Sequence, residues 1–370
     1  MKVYVLDQRK DNTKHNAVGK AMTDVFEIFG GKKIKTMPGV PKDAKKIFKV
    51  FDLIILAFYS IVVLSKKDYC IFIYHDNAQK IKLLSKLKKI RKFTTVCMVN
   101  DVNSIRSDGL FSEKRKSDID NDFALISSAD IIMAPNEGSI EYMKSRGITN
   151  KMIPVKVWDY LMDEEMGKRC DSNVDELVAR VKSICEKNRS GDFVNAQKWK
   201  VGFAGNLGKS EFISNIGDVY DENVEYCLWG DCENKTFDYT NVIYKGSVSP
   251  NVLPLELSAN CNFGLVWDGV SSTSVAGGYG EYLRFNNSHK CGCYLASGIP
   301  VFVWKESGMA HFVNETGCGY AIESMADIAT VLNGMTMQEY ERLLTNTRTV
   351  SRNIREGYYL SEAVDSVIGG

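Results

Sequence analysis

Short apolar, β-rich runs recur along this chain, and a segment of helical periodicity separates most of them. In the first half they are Lys2–Leu6, Lys33–Met37, Asp52–Phe58, Cys70–Tyr74, Thr94–Val99 and Asp130–Ala134. A second series starts at Trp199, with Lys200–Ala204, Val224–Leu228, Val242–Tyr244, Phe263–Trp267 and Pro300–Trp304. Repeated strand-then-helix order dictates a parallel sheet covered by helices on both faces. The chain has 370 residues, more than one core usually holds, so two doubly wound α/β domains facing a cleft are expected. The boundaries read 1–157 for the first domain, 158–198 for a connector with its own helix, 199–336 for the second domain and 337–370 for a helical tail.

Composition narrows the classes. A 44% hydrophobic and 25% charged chain with net charge +1 is an ordinary globular one with no overall pull toward nucleic acid. The ten cysteines show no zinc-ligand spacing and, without a signal peptide, read as reduced cytoplasmic thiols. The longest apolar run, Leu53–Leu64, is too short to span a bilayer. Lys80–Lys92, KIKLLSKLKKIRK, is a basic amphipathic helix that reads first as a solvated face over Ile81, Leu84 and Leu87. Its other reading is peripheral contact with anionic lipid or an acidic partner.

The chemistry concentrates at strand ends, where open α/β sheets bind ligands. In Gly280–Ser297, GEYLRFNNSHKCGCYLAS, the residues Asn286, Asn287, His289 and Lys290 crowd a helix start near Asn286. Free backbone N–H groups and a lysine one turn in suit a phosphate. Phe203–Ser210, FAGNLGKS, offers Gly205, Asn206, Lys209 and Ser210 where a strand passes to a helix over Leu207–Asn215. It is not a Walker A loop, but small residues let backbone approach a phosphate and Lys209 adds charge. Lys209 and Lys290 are expected to converge on one anion. Tyr244, in YKGSVSPNVLP, reads either as part of a helix-cap region or as a wall for a nucleotide base. In the first domain, NAVGKA carries Asn16 and Lys20, and VNDVNSIR carries Asp101 and Arg106. Asp101 reads as a turn cap or as a base for a sugar hydroxyl, with His75 a second candidate base. No D-x-D pair is placed to hold a metal diphosphate.

GLVWDG (Gly264–Gly269), GEYLRFNNSHK and LASGIPVFVW (Leu295–Trp304) together resemble a bacterial glycosyltransferase family of GT-B fold. That family includes β-1,6-galactofuranosyltransferases and the glucosyltransferases that extend glycans of serine-rich adhesins. The chain departs from its pattern at Asn100, where His is expected, and at Ser288, where Pro is expected. The resemblance implies two Rossmann-like domains, with a UDP-sugar donor held in the second by Gly205, Asn206, Lys209, Ser210, Tyr244, Asn286, Asn287, His289 and Lys290. A glycan, glycolipid or glycoprotein acceptor is implied in the first, near Asn16, Lys20 and Arg106. It implies a metal-independent hexosyltransferase with no cofactor. An inverting displacement is expected because it needs only one base and one cation cluster, and the reaction is expected in the cytoplasm or at the inner face of the membrane. Self-association is expected from the resemblance and from tail positions Tyr340, Tyr358, Tyr359 and Leu360. The rivals are a UDP-sugar epimerase of the same architecture, which would act without an acceptor, and a non-catalytic sugar-binding subunit, which would lack the phosphate cluster.

Overall fold

A computed structural model describes residues 1–6, 17–39, 46–74, 78–106, 113–190, 197–232, 237–275 and 277–369. Two compact units are formed, one by Met1–Lys156 with Tyr359–Gly370, the other by Val157–Tyr358. In the first unit six parallel strands are β1 (Val3–Leu6), β2 (Lys35–Met37), β3 (Tyr69–Tyr74), β4 (Thr94–Val99), β5 (Ile131–Ala134) and β6 (Lys151–Pro154). Their order is β2-β1-β3-β4-β5-β6. In the second unit they are β7 (Trp199–Ala204), β8 (Val224–Trp229), β9 (Val242–Tyr244), β10 (Phe263–Val266), β11 (Val301–Trp304) and β12 (Gly319–Ile322), in the order β12-β11-β10-β7-β8-β9.

These strands form because helices cover both faces, so the central ones are apolar throughout. Every residue of β5, β10 and β11 is buried. Trp199, Phe263, Phe302 and Tyr340 build the aromatic core beneath the second sheet, with the Phe263 and Phe302 ring centroids 4.7 Å apart. Each such buried side chain contributes about 1.5–3 kcal/mol of burial energy.

Several sequence expectations need correction. Asp52–Phe58 is not a strand but the second half of a helix, Lys46–Phe58, continued by a π-type turn at Tyr59–Val63. Its buried face repeats every fourth residue through Asp52, Leu56, Ser60 and Leu64, a helical period. The period was hidden because the opposite face is apolar too. No α-helix starts at Leu207; the segment there is a turn, and a 3-10 helix follows at Glu211–Val219. The helix expected from Asn286 starts instead at His289, with Ser288 as N-cap. Tyr340, Tyr359 and Leu360 are buried and cannot serve as an exposed association surface; Tyr358 alone of that set is exposed. Among the described residues no helix is long and apolar enough to cross a membrane. All ten cysteines are free thiols.

Candidate functional site

In the second sheet, the chain leaves β7 toward β8 and β9, then returns to β10 on the other side of β7. Helices that follow β7 and β10 therefore fall on opposite faces, and a crevice opens at the carboxyl ends of these two neighbours. Gly205 is the first residue beyond β7. Its N–H donates to the Trp229 carbonyl, 3.0 Å away. A Cβ at Gly205 would lie 2.9 Å from Cε of Lys290, so the lysine stem crosses directly over the glycine. Gly230, just beyond β8, has φ +137°, and a Cβ there would fall 1.7 Å from the Gly205 carbonyl oxygen. Only glycine fits the backbone approach at Gly230, whereas a Cβ at Gly205 would have to push the flexible lysine stem aside.

Lys290 is the second residue of helix His289–Ala296, whose first turn has no side-chain cap. Its Nζ lies 5.1 Å from the centre of the Phe203 ring and 3.8 Å from Oδ2 of Asp268. The ring holds the cation through its π face. The carboxylate is too distant for a hydrogen bond, and about a quarter of each side chain remains exposed. The ammonium thus keeps donors for an incoming anion. Two residues before the cap, Oδ1 of Asn286 is buried without a hydrogen-bond partner. A buried polar atom in that state costs stability unless a water or a ligand group meets it.

The helix start is held rigidly. His289 stacks on Trp158 with centroids 5.3 Å apart and planes 15° from parallel. Desolvation lowers its pKa to about 4, so the ring is neutral at neutral pH. A Cβ at Gly292 would lie 2.3 Å from the Trp158 carbonyl oxygen, so the helix lies flat on that segment. Arg284, ahead of the helix, is bound by Glu281 and Glu306 and covers Trp304. Its charge is already met, which marks it as a brace.

The other expected residues of this unit lie on the loop after β7, at the end of β9 and beside the helix start. Asn206 and Lys209 are exposed on the loop after Gly205, where Oδ1 of Asn206 accepts from the Lys209 N–H at 3.0 Å. Ser210 is buried and donates to the Asn206 carbonyl. Tyr244 donates to the Gly230 carbonyl at 3.0 Å. Asn287 is buried beside the helix start. Asp268, Phe203 and Trp158 were not singled out from the sequence. Asp268 stands in GLVWDG, one residue beyond an apolar run, and that position was the available signal.

In the first unit, Asn16 and His75 lie outside the described residues, as does the side chain of Arg106. Lys20 is paired with buried Asp24 on its own helix. Asp101 follows β4 and precedes the short helix Asn103–Arg106. Among the described residues no group of three His, Cys, Asp or Glu side chains is arranged to hold a metal.

Two doubly wound parallel-sheet domains are the architecture of the GT-B fold, and the relatives with which this chain aligns are named glycosyltransferases. The chain belongs to the glucosyltransferase 3-like family: its N-terminal domain model matches residues 2–157 and its C-terminal domain model residues 201–367. It is 25% identical over 360 residues to the β-1,6-galactofuranosyltransferase WbbI of Escherichia coli, covering 96% of each chain. It is 26% identical over 246 residues to glucosyltransferase 3 of Streptococcus gordonii, covering 66% of this chain and 63% of the relative. Among solved structures, HepE from Anabaena in complex with UDP-glucose shares the fold, with a TM-score of 0.52 and 13% identity over 99% of this chain and all of that one.

Proposed function

We propose that this chain transfers a hexose from a UDP-sugar to a hydroxyl of a glycan acceptor, inverting the anomeric carbon, in assembly of a surface polysaccharide or a glycoprotein glycan. The observation that carries the reading is Lys290, which crosses Gly205 four residues after Asn286, whose buried Oδ1 has no hydrogen-bond partner. Lys290 and Lys209 take the diphosphate, while Asn206, Ser210, Asn286, Asn287 and neutral His289 orient it, and Tyr244 borders the base. The acceptor oxygen bonds to the anomeric carbon as the bond from that carbon to the UDP oxygen breaks. The bonding pair leaves with UDP, and Lys290 meets the charge that develops there. Asp101 or His75 takes the hydroxyl proton, and Asn16 and Arg106 contact the acceptor. Lys20, neutralised by Asp24, is at most a support for them. The lysines do the work a metal would do on the diphosphate, and the reaction belongs in the cytoplasm.

The relatives act on different sugars, so glucose, galactose and galactofuranose are the donors to compare. Purified protein is incubated with each UDP-sugar, with and without an oligosaccharide acceptor, and UDP release is followed. Acceptor-dependent UDP from one donor supports the reading. Conversion of a donor without acceptor, or no turnover of any, overturns it.

A further inference from the structure

The helix Lys46–Phe58 and its π-type continuation Tyr59–Val63 carry a row of exposed apolar side chains. Val50, Phe51, Ile54, Phe58, Ile61 and Val62 are each 45–60% exposed. Phe51, Ile54, Phe58 and Ile61 follow one another at three to four residues, with Val50 and Val62 adjoining the ends, so the row lies on one face, opposite the buried Asp52, Leu56, Ser60 and Leu64. A row of this length on one face of a helix marks an interaction surface rather than scattered surface residues.

The neighbouring helix supplies the second observation. Ala78–Arg91 is joined to the first helix at both ends. Lys80 pairs with Asp52 in the interior, and the Arg91 guanidinium donates to the Leu64 carbonyl at 3.0 Å. Its exposed positions include Lys82, Lys86 and Lys89, which follow helical spacing, with Lys92 just beyond and Lys66 and Lys67 in the turn after Leu64. Negative charge does not offset them. Among the described residues from Val50 to Lys92 the acids are Asp52 and Asp68, both buried. Asp52 is held by Lys80, and Asp68 by Ser65 and the Lys2 N–H.

We propose that this pair of helices docks the protein on an anionic lipid surface. Apolar side chains enter the boundary between headgroups and acyl chains, and the lysines meet the headgroup charge. A second copy of the chain is the other candidate occupant, and the uncompensated lysines of the neighbouring helix favour an anionic surface over it.

The test is flotation of the full-length protein with vesicles of phosphatidylcholine alone or with added phosphatidylglycerol. Two variants accompany it, Phe51→Ser/Ile54→Ser/Phe58→Ser and Lys82→Gln/Lys86→Gln/Lys89→Gln. Wild type should float with the phosphatidylglycerol vesicles only and fall off at high salt. Each triple variant should lose about a hundredfold in partitioning while keeping its thermal midpoint and UDP-releasing activity in solution. The lysine variant touches only exposed side chains, so it remains informative should the serine variant fold poorly. Wild type that stays soluble with both vesicles overturns the proposal. So does lysine-variant binding equal to wild type, or a serine variant that turns from dimer to monomer in light scattering while vesicle binding is unchanged.

Discussion

Lys80 and Lys290 both sit near the start of a helix, and both face an aspartate from another element, yet they are built for different ends. Lys80 pairs closely with Asp52, and both side chains are nearly sealed from water. Lys290 stands 3.8 Å from Asp268, over an aromatic face and a glycine, with room for a solvent-borne partner. A closed pair fixes one helix on another. An open pair holds a cation in place while leaving its strongest contact unmade, and that is the condition an anionic substrate needs. Charge type and helix position are alike in the two, so neighbouring distance and access carry the difference.

The comparison breaks most visibly at Lys80. Lys80→Ala removes the buried cation that pairs with Asp52 and should cost up to about 3–5 kcal/mol of stability. The check is chemical denaturation, with turnover per folded molecule unchanged. Loss of turnover without loss of stability would place Lys80 in the wrong class. Next in size is Lys290→Ala, which should reduce acceptor-dependent UDP release by about one to two decades, or roughly 1.5–3 kcal/mol. Its thermal midpoint should barely move, and Lys290→Arg should restore part of the rate, because a planar fork replaces a point charge.

A finer test is Gly205→Ala. The new Cβ would press on a flexible lysine stem, so the fold should tolerate it, while Lys290 is displaced and donor affinity falls by about 1 kcal/mol. Steady-state kinetics should show a raised KM for the UDP-sugar. An unchanged KM would separate the lysine from the loop. The smallest effect concerns His289, whose folded pKa is depressed to about 4 from an ordinary 6.5. The unfolded chain takes up this proton first as pH falls. The stabilising contribution is therefore complete above about pH 6.5 and is lost between there and about pH 4. His289→Phe keeps the stacking on Trp158 and should flatten that part of the curve of thermal midpoint against pH.

The sheets were legible where strands are buried on both faces, because burial writes a continuous apolar run. β6 and β12 escaped notice because both are sheet-edge strands, and KMIP and GYAI are largely half-exposed. Asp52–Phe58 misled for the opposite reason: its helix is apolar on both its packed and its open face, so periodicity vanished. At the site, glycine and lysine near strand ends could be read from order alone. The meeting of Lys290 with Asp268 and Phe203, and of His289 with Trp158, joins segments distant along the chain, which spacing does not encode.

The central claim is that the crevice between β7 and β10 binds a nucleoside diphosphate through Lys290. Calorimetric titration of UDP into wild type and Lys290→Ala, both in EDTA, tests it most directly. One UDP should bind per wild-type chain despite the chelator, and the variant should bind about ten- to a hundredfold more weakly with its fold intact. Equal affinity in the two proteins, or wild-type binding that disappears with EDTA, would contradict the account.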